Sequence, residues 1–596
     1  MSTLPPAAAG ITVALPGEPR VTIERNVPCQ MRDGVTLFAD VYRPDGEGPW
    51  PVILMRLPYD KTQAETVCYF HPSWYAAHGY LVAVQDCRGR WLSEGEWYPF
   101  RDEASDGYDT IEWAARLPGA NGKVGMYGAS YAGATQLLAA TLRPPSLTTI
   151  CPAVTASQYY EGWTYNGGAL ALAFAASWAI NLAEDTARRR GDEAAQRRLA
   201  TEFAEAYDHY GHLPLADFPP IAAQPDLAPY FRDWLAHPTD DDYWRRWSID
   251  EDYGRITVPA LHIAGWYDIF LSGTVKNFVG LQRGAGDDGA RRAQKLLIGP
   301  YVHVPWVPVD GSLDATAGSL AIDDWHLRWF DQFLKGEERG VLDSPVTVYV
   351  MGENRWRDFA DWPPPESRPI AWYLHSGGRA NSMLGDGALS PEAPGSEPPD
   401  RFVANPAGPI PSLGGHSCCF SVAAPLGPAD QAAAERLHGV LVYTSAPLGT
   451  DIDLIGDASV TLFAATSAAD CDWTARLCRV DPAGLSTNLQ EGILRARFRD
   501  SLSQPTPVAP HHVYRYEIPL GPLGVRLPAG HRLRLTVSSS DFPQWDRNLQ
   551  TGGPLYQEGP GAMVVATQTV LHDLDYPSRL TLPVMGGLVV RPTSPL

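Results

Sequence analysis

From about residue 21 onward, the spacing of hydrophobic and polar positions alternates between strand-like and helix-like periods. "VTLFADVYRP" switches apolar and polar residues with period two, the pattern of a half-buried edge hairpin. "WPVILMRLP" and "GYLVAVQD" are continuous apolar runs bounded by Pro or Gly, which predicts strands covered on both faces of a parallel sheet. "DEASDGYDTIEWAARLP" predicts a helix with acids in its first turns and Pro118 as its stop. The strand "KVGMYG", the helix "GATQLLAATL" and the strand "LTTICPAV" extend the series, and such alternation predicts an α/β sheet.

The alternation breaks near residue 157. Residues 168–250 read as mostly helical, first Ala-rich and then charged. Sheet periodicity returns at "VPALHIAGWYD" and "QKLLIGPYVH", followed by the amphipathic helix "AIDDWHLRWFDQFLKG" and the strand "VTVYVMG". A helical insertion of this kind grows from loops at strand C-terminal ends and caps the site formed there. A Pro/Gly/Ser-rich zone, roughly 362–415, predicts a boundary. Beyond it, short β-patterned runs from "HGVLVYTSAPL" to "RLTLPV" predict a β-sandwich or jelly roll. The expected division is a first core segment over 1–157, a helical cap over 158–252, a second core segment over 253–362 and a β domain over 363–596.

A chain of 596 residues suits several cores better than one. Its formal net charge is −21 and no Lys/Arg block is dense enough to track a phosphate backbone, which argues against nucleic acid as a partner. "MSTLPPAAAGITVALPGEPR" has no basic n-region, and Gly10 and Pro16 break its apolar run, so it does not read as a signal peptide. The most apolar helical run, "ALALAFAASWAINLAED", is short for a membrane span. Eight cysteines without a CxxC pair point to reduced thiols in the cytoplasm. Cys418 and Cys419 are adjacent, and a vicinal pair is seldom a structural staple. The histidines lack HExxH spacing and no glycine-rich phosphate loop occurs, so neither a metal nor a cofactor is expected.

The chemistry enters with "KVGMYGASYAGATQLLAA". A strand ends at Gly128, Ser130 follows, and helix-forming residues begin at once. On such an elbow the turn lifts the serine hydroxyl clear of the sheet while helix amides point at the reacting oxygen. Ala132 stands where the G-x-S-x-G pattern calls for its second glycine, and it is small enough for the elbow to survive. A serine here could equally be a small polar residue in a tight connection, so its partners decide. A nucleophilic serine needs a histidine base and a carboxylate to orient it, in the chain order Ser, Asp, His on this kind of sheet. Asp268 ends the strand "PALHIAGW" and His303 ends the next, "KLLIGP". Singly, one reads as a helix cap and the other as a loop histidine; the ordered trio at three strand ends points to acyl transfer.

"GASYAG", "GWYDIF" and "IGPYVH" resemble the three triad motifs of the cocaine esterase-like hydrolases, a group related to X-Pro dipeptidyl-peptidases and α-amino acid ester hydrolases. The resemblance extends through "MRLPYDK", "CRGRWLSEGEWYPF", "PIPSLGG" and "DFPQWDRNLQTGG", over about residues 25–590. It implies an α/β-hydrolase core with an inserted helical cap and a C-terminal jelly roll. It also implies that Ser130 is the nucleophile, His303 the general base and acid, and Asp268 the orienting carboxylate. The oxyanion hole it implies is the hydroxyl of Tyr59 and the amide of Tyr131. Tyr159, Trp163, Tyr165, Trp266, Phe270 and Phe420 are candidate pocket residues, ordinary interdomain packing being the alternative for each. The α-amino acid ester hydrolases hold an ammonium with carboxylates just beyond the triad aspartate; here Ile269, Phe270 and Leu271 follow Asp268. Glu161, read as exposed, is the only carboxylate at the cap entry.

The expected function is hydrolysis of carboxylic esters through an acyl-enzyme, on neutral or N-acylated small molecules. An amidase, β-lactam acylase, X-Pro-type aminopeptidase or acyltransferase with the same triad is the alternative. A binding module with a vestigial hydrolase core is a reading from another class, and the intact residue set weighs against it. Self-association stays open, since an edge of the jelly roll could pair.

Overall fold

The computed structural model describes residues 11–13, 20–63, 68–304 and 322–586. The N-terminal stretch read for a signal sequence therefore lies, apart from Ile11–Val13 and Arg20, outside the described residues. The first sheet begins with β1 (Ile11–Val13), β2 (Val21–Gln30), β3 (Thr36–Pro44), β4 (Trp50–Leu57), β5 (Leu81–Asp86), β6 (Ala120–Ala129) and β7 (Leu147–Ala153). After an insertion carrying the hairpin β8 (Tyr165–Asn166) and β9 (Ala169–Leu170), it resumes with β10 (Ala260–Tyr267), β11 (Gln294–Val302), β12 (Val346–Val350) and β13 (Arg355–Phe359). Its spatial order is β1-β2-β3-β5-β4-β6-β7-β10-β11-β12-β13.

The run from β5 to β12 is parallel throughout. Every described residue of β5, β10, β11 and β12 is buried, as continuous apolar runs require. The alternating segment β3 was expected at an edge. It lies inside the sheet, antiparallel to both β2 and β5. Its alternation arises because only one of its faces is fully covered, and edge position does not follow from that.

Three helices on the core matter for the site: α1 (Pro72–Ala77), α2 (Glu103–Ala114) and α3 (Tyr131–Ala140). All ten residues of α3 are buried, which its Ala, Leu and Gly permit and which hydrogen bonds of Tyr131, Thr135 and Gln136 sustain. The insertion is mostly helical, as expected, with α4 (Leu172–Arg189) its longest element. Trp163, Trp178, Trp234 and Trp244 are fully buried in an apolar cluster continuous with α3.

The C-terminal β domain forms a second sheet of eleven described strands. The Pro/Gly/Ser-rich zone expected to mark a boundary already contributes strands to it, Ser367–His375, Ala388–Ser390 and Asp400–Ala404. Most prolines there lie in bends and loops between strands, and Pro369 lies within the first of these strands opposite Pro583, so a high count of turn residues did not exclude pairing. Six described cysteines are free, and Cys418 and Cys419, expected as thiols, are joined to each other. Among the described residues no helix is long and apolar enough to cross a membrane.

Candidate active site

Four parallel strands deliver the candidate residues to one edge of the sheet. β4 ends at Leu57, two residues before Tyr59; β6 ends at Ala129, β10 at Tyr267 and β11 at Val302. Ser130, Asp268 and His303 are the next residues after their strands. A parallel sheet makes this convergence automatic, because all its strands finish on the same side.

Ser130 has φ +60° and ψ −122° at the N-terminus of α3. A left-handed φ at a non-glycine residue costs about 1–3 kcal/mol and is kept only where the surroundings dictate it. Here the Ser130 N–H donates to Ala153 O at 2.9 Å on β7, and its carbonyl accepts from Gly133 and Ala134. Gly128 has φ +142°, and a Cβ there would lie 2.6 Å from the methyl of Ala132. The bare glycine at 128 thus makes room for alanine at 132. Tyr131 is the first helical residue, so its amide has no intrahelical acceptor. Its phenol is spent elsewhere, donating to Glu103 Oε1 at 3.0 Å and accepting from the Phe100 amide at 2.8 Å.

His303 Nδ1 and Asp268 Oδ1 lie 2.6 Å apart, and neither side chain is exposed. This contact assigns the ring proton at Nδ1 and leaves Nε2 as the basic nitrogen. Nε2 is buried without a hydrogen-bond partner among the described residues. The edge of His303 meets the ring of Phe270 at 5.2 Å, and Phe270 stacks on Trp163 at 4.3 Å.

The Tyr59 hydroxyl accepts from Trp178 Nε1 at 3.0 Å. Burial pushes its pKa up to about 12, against the lowering effect of hydrogen bonds to Trp178 and Ser130. The phenol therefore keeps its proton at neutral pH. Trp178 fills one acceptor position of the hydroxyl, which also sits within hydrogen-bond reach of Ser130, where an oxyanion would form. Behind Tyr59, Lys61 clamps the loop to β5: its amide and ammonium reach the two oxygens of buried Asp86 at 2.8 and 2.9 Å.

The structure brings Ser130, Asp268, His303, Tyr59, Phe270 and Trp163 to this edge. Tyr159 stacks on Phe100 at 3.6 Å and touches Trp163. Tyr165 faces the cap interior, its hydroxyl on Trp234 O at 2.8 Å and its ring on Tyr160. Trp266 packs closely on Gly524 of the β domain, and its indole N–H donates to Tyr349 O on β12 at 2.6 Å. The period of two does not carry through to Asp268, which follows a register shift between Gly265 and Tyr267 and lies just beyond the strand. Phe420 meets Phe203 of the cap at 5.0 Å, edge to face.

Sequence reasoning missed Trp178, hidden in an apolar helix with no signal of its own. It also missed the role of His416. The His416 amide and Nδ1 both meet Glu491 Oε1, at 2.6 and 2.9 Å, and Nε2 donates to Trp266 O at 2.7 Å. Burial disfavours both charges, yet mutual attraction prevails: His416 is raised and Glu491 falls to about 2. A cavity of about 500 Å³ between core, cap and β domain is lined by Asp268, Ile269, Glu161, His416, Glu491 and Trp545, among others. Glu161 proves half-buried where it was read as exposed. Burial raises its pKa to about 7, only partly offset by the Gly167 amide.

Fold and site together define an α/β-hydrolase with a serine at its strand–helix elbow. The chain belongs to the cocaine esterase-like, X-Pro dipeptidyl-peptidase (S15) family. The X-Pro dipeptidyl-peptidase (S15 family) description matches residues 33–305, and that of the X-Pro dipeptidyl-peptidase C-terminal non-catalytic domain matches 340–581. It is 34% identical to cocaine esterase from Rhodococcus sp. (strain MB1 Bresler), over 95% of this chain and 99% of that one. An α-amino acid ester hydrolase structure is 26% identical with TM-score 0.79, covering 98% of this chain and 100% of its own. An aminopeptidase from a marine sediment Thaumarchaeota archaeon, 24% identical, shares the fold with TM-score 0.79, covering 94% of this chain and 96% of its own. The protein is a serine hydrolase of carboxylic esters.

Proposed function

We propose that the protein hydrolyses esters of neutral or N-acylated small molecules through an acyl-enzyme on Ser130. Ser130 Oγ attacks the ester carbonyl and passes its proton to Nε2 of His303. Asp268 holds the imidazole and steadies the imidazolium. The developing oxyanion takes hydrogen bonds from the Tyr59 hydroxyl and the Tyr131 amide. His303 then protonates the leaving alcohol, and water repeats the cycle on the acyl-enzyme.

The observation that carries this reading is the fully buried Asp268–His303 contact at 2.6 Å, one strand series away from a serine kept at φ +60°. Trp163 and Phe270 beside the imidazole supply an apolar wall for the acyl group. Apolar residues follow Asp268, and Glu161, with a pKa of about 7, is only partly ionised at neutral pH. Both features disfavour a free ammonium as the main determinant. A second reading, an α-aminoacyl ester substrate, draws on Glu161 lining the same cavity as Asp268. Amide cleavage and transfer to another acceptor use the same residues. Cytoplasmic residence belongs to the same proposal.

Turnover of p-nitrophenyl acetate, butyrate, benzoate and an α-aminoacyl ester, in wild type and Ser130→Ala, tests it. The expected result is turnover of the neutral esters that falls on the order of 10⁶-fold in the variant. Equal rates in both proteins would make the elbow serine structural. Preference for the aminoacyl ester would select the second reading.

A further inference from the structure

The loop that enters the site from the β domain carries two sulfurs to the triad histidine. One ligand atom from each of His303, Cys418 and Cys419 lies within 4.8 Å of the other two. Asp268 occupies Nδ1 of His303, which leaves the buried, unpartnered Nε2 as the nitrogen on offer. Cys418 is buried and Cys419 half-buried. The loop is held on both sides of the pair. Upstream, His416 is tied to Glu491 and to Trp266 O; downstream, Phe420 donates its amide to Cys418 O and packs on Phe203.

Ester hydrolysis as described above has no use for two thiols at this point, and an acyl pocket could be lined as well by any apolar residue. Two sulfurs and one imidazole are, however, the soft donor set of a zinc-type site, which takes thiolate sulfur and neutral imidazole in tetrahedral geometry. The sulfurs are bonded to each other in this structure, so the donor set exists only after reduction. A dithiol reductant supplies the two electrons: the Cys418–Cys419 bond breaks, each sulfur gains a proton, and the reductant closes its own disulfide. A divalent cation then displaces the two thiol protons and takes the lone pair of Nε2. That same lone pair must accept the serine proton during catalysis, so cation and catalysis exclude each other.

We propose that Cys418, Cys419 and His303 form, in the reduced protein, a binding site for a thiophilic divalent cation that inhibits the enzyme by occupying its general base. The inhibitory half rests on His303 acting as that base; the binding half does not.

The probe is Zn²⁺ alone, added to the full chain after treatment with a dithiol reductant and its removal. Equilibrium dialysis is expected to show one zinc per reduced chain, with affinity at least about tenfold lower in Cys418→Ser, Cys419→Ser and His303→Ala. Oxidised wild type should bind no better than these variants. Zinc affinity unchanged by all three substitutions would overturn the site. Ester turnover, referred to each protein's own zinc-free rate, should be lost in reduced wild type at zinc levels at least about tenfold below those affecting the Cys418→Ser/Cys419→Ser double variant. Turnover undisturbed by bound zinc would overturn the inhibition. Should a variant misfold, wild type alone decides: zinc should slow capture of the pair by a trivalent arsenical, and equal capture rates reject the site. Dialysis reads the site without any turnover, so an inactive wild type would count against the hydrolytic mechanism and leave the binding result to stand or fall separately.

Discussion

Tyr59 shows how a single side chain acquires a role from its neighbours. Its phenol stays protonated because burial lifts the pKa to about 12, and Trp178 fills one acceptor position of the hydroxyl. Tyr59→Phe is expected to lower kcat about 10²–10³-fold with KM little changed, the loss typical of one oxyanion donor. Trp178→Phe keeps the ring packing and removes only the N–H, so a smaller fall, about tenfold, is expected. Steady-state kinetics on one neutral ester measures both. Equal and large KM increases would instead place Tyr59 in ground-state binding.

At the scale of elements, the strand ends are aimed by contacts made behind them. β10 carries Asp268, and the carbonyl of Trp266 two residues earlier is held by His416 from the β domain. The His416–Glu491 latch has a definite pH window. Glu491 is held at about 2 against an ordinary 4.5, so its contribution is complete above about pH 4.5 and is lost as pH falls toward 2. His416 is raised above 6.5, so its contribution is complete below that value and is lost as pH rises through the folded pKa. The latch is therefore strongest between about pH 4.5 and 6.5. His416→Gln should lower the unfolding temperature more at pH 5.5 than at pH 9, because at pH 5.5 buried Glu491 loses its imidazolium and keeps the Gln544 amide and the charge of Arg476. Thermal unfolding at the two pH values reads the difference. An equal loss at both would show that His416 acts through packing alone.

At the scale of the whole molecule, buried contacts stitch the β domain into the cap. Buried Arg495 pairs with Asp472 and Asp546, and its amide donates to Gly167 O at 2.9 Å in the turn between β8 and β9. Asp546 accepts the Leu170 amide at 2.7 Å and returns its own N–H to Leu170 O. Gly167 has φ +51°, and a Cβ there would strike Ile493 O at 2.2 Å, so only glycine lets the turn lie this close. Arg495→Met would leave two carboxylates buried without their cation. The expected result is a loss of about 3–5 kcal/mol within a single calorimetric transition. A transition that splits in two, one half keeping the wild-type temperature, would mean the domains are energetically independent.

Whereas Tyr59 came only from the family resemblance, the amino-acid sequence determined the α/β core, the helical insertion and the trio of Ser130, Asp268 and His303 at strand ends. Periodicity and chain order report these because a parallel sheet converts strand ends directly into one edge. Only the tertiary structure decided that Trp178 supports Tyr59, that Trp266 faces the β domain and Tyr165 the cap interior, that Glu161 is half-buried, and that Cys418 and Cys419 lie at His303. The reason is physical. Residues 119 positions apart in the chain, as Tyr59 and Trp178 are, meet only when the cap folds over the sheet. No local pattern encodes which side of a buried aromatic faces the site, because all sides are equally apolar until the packing is complete.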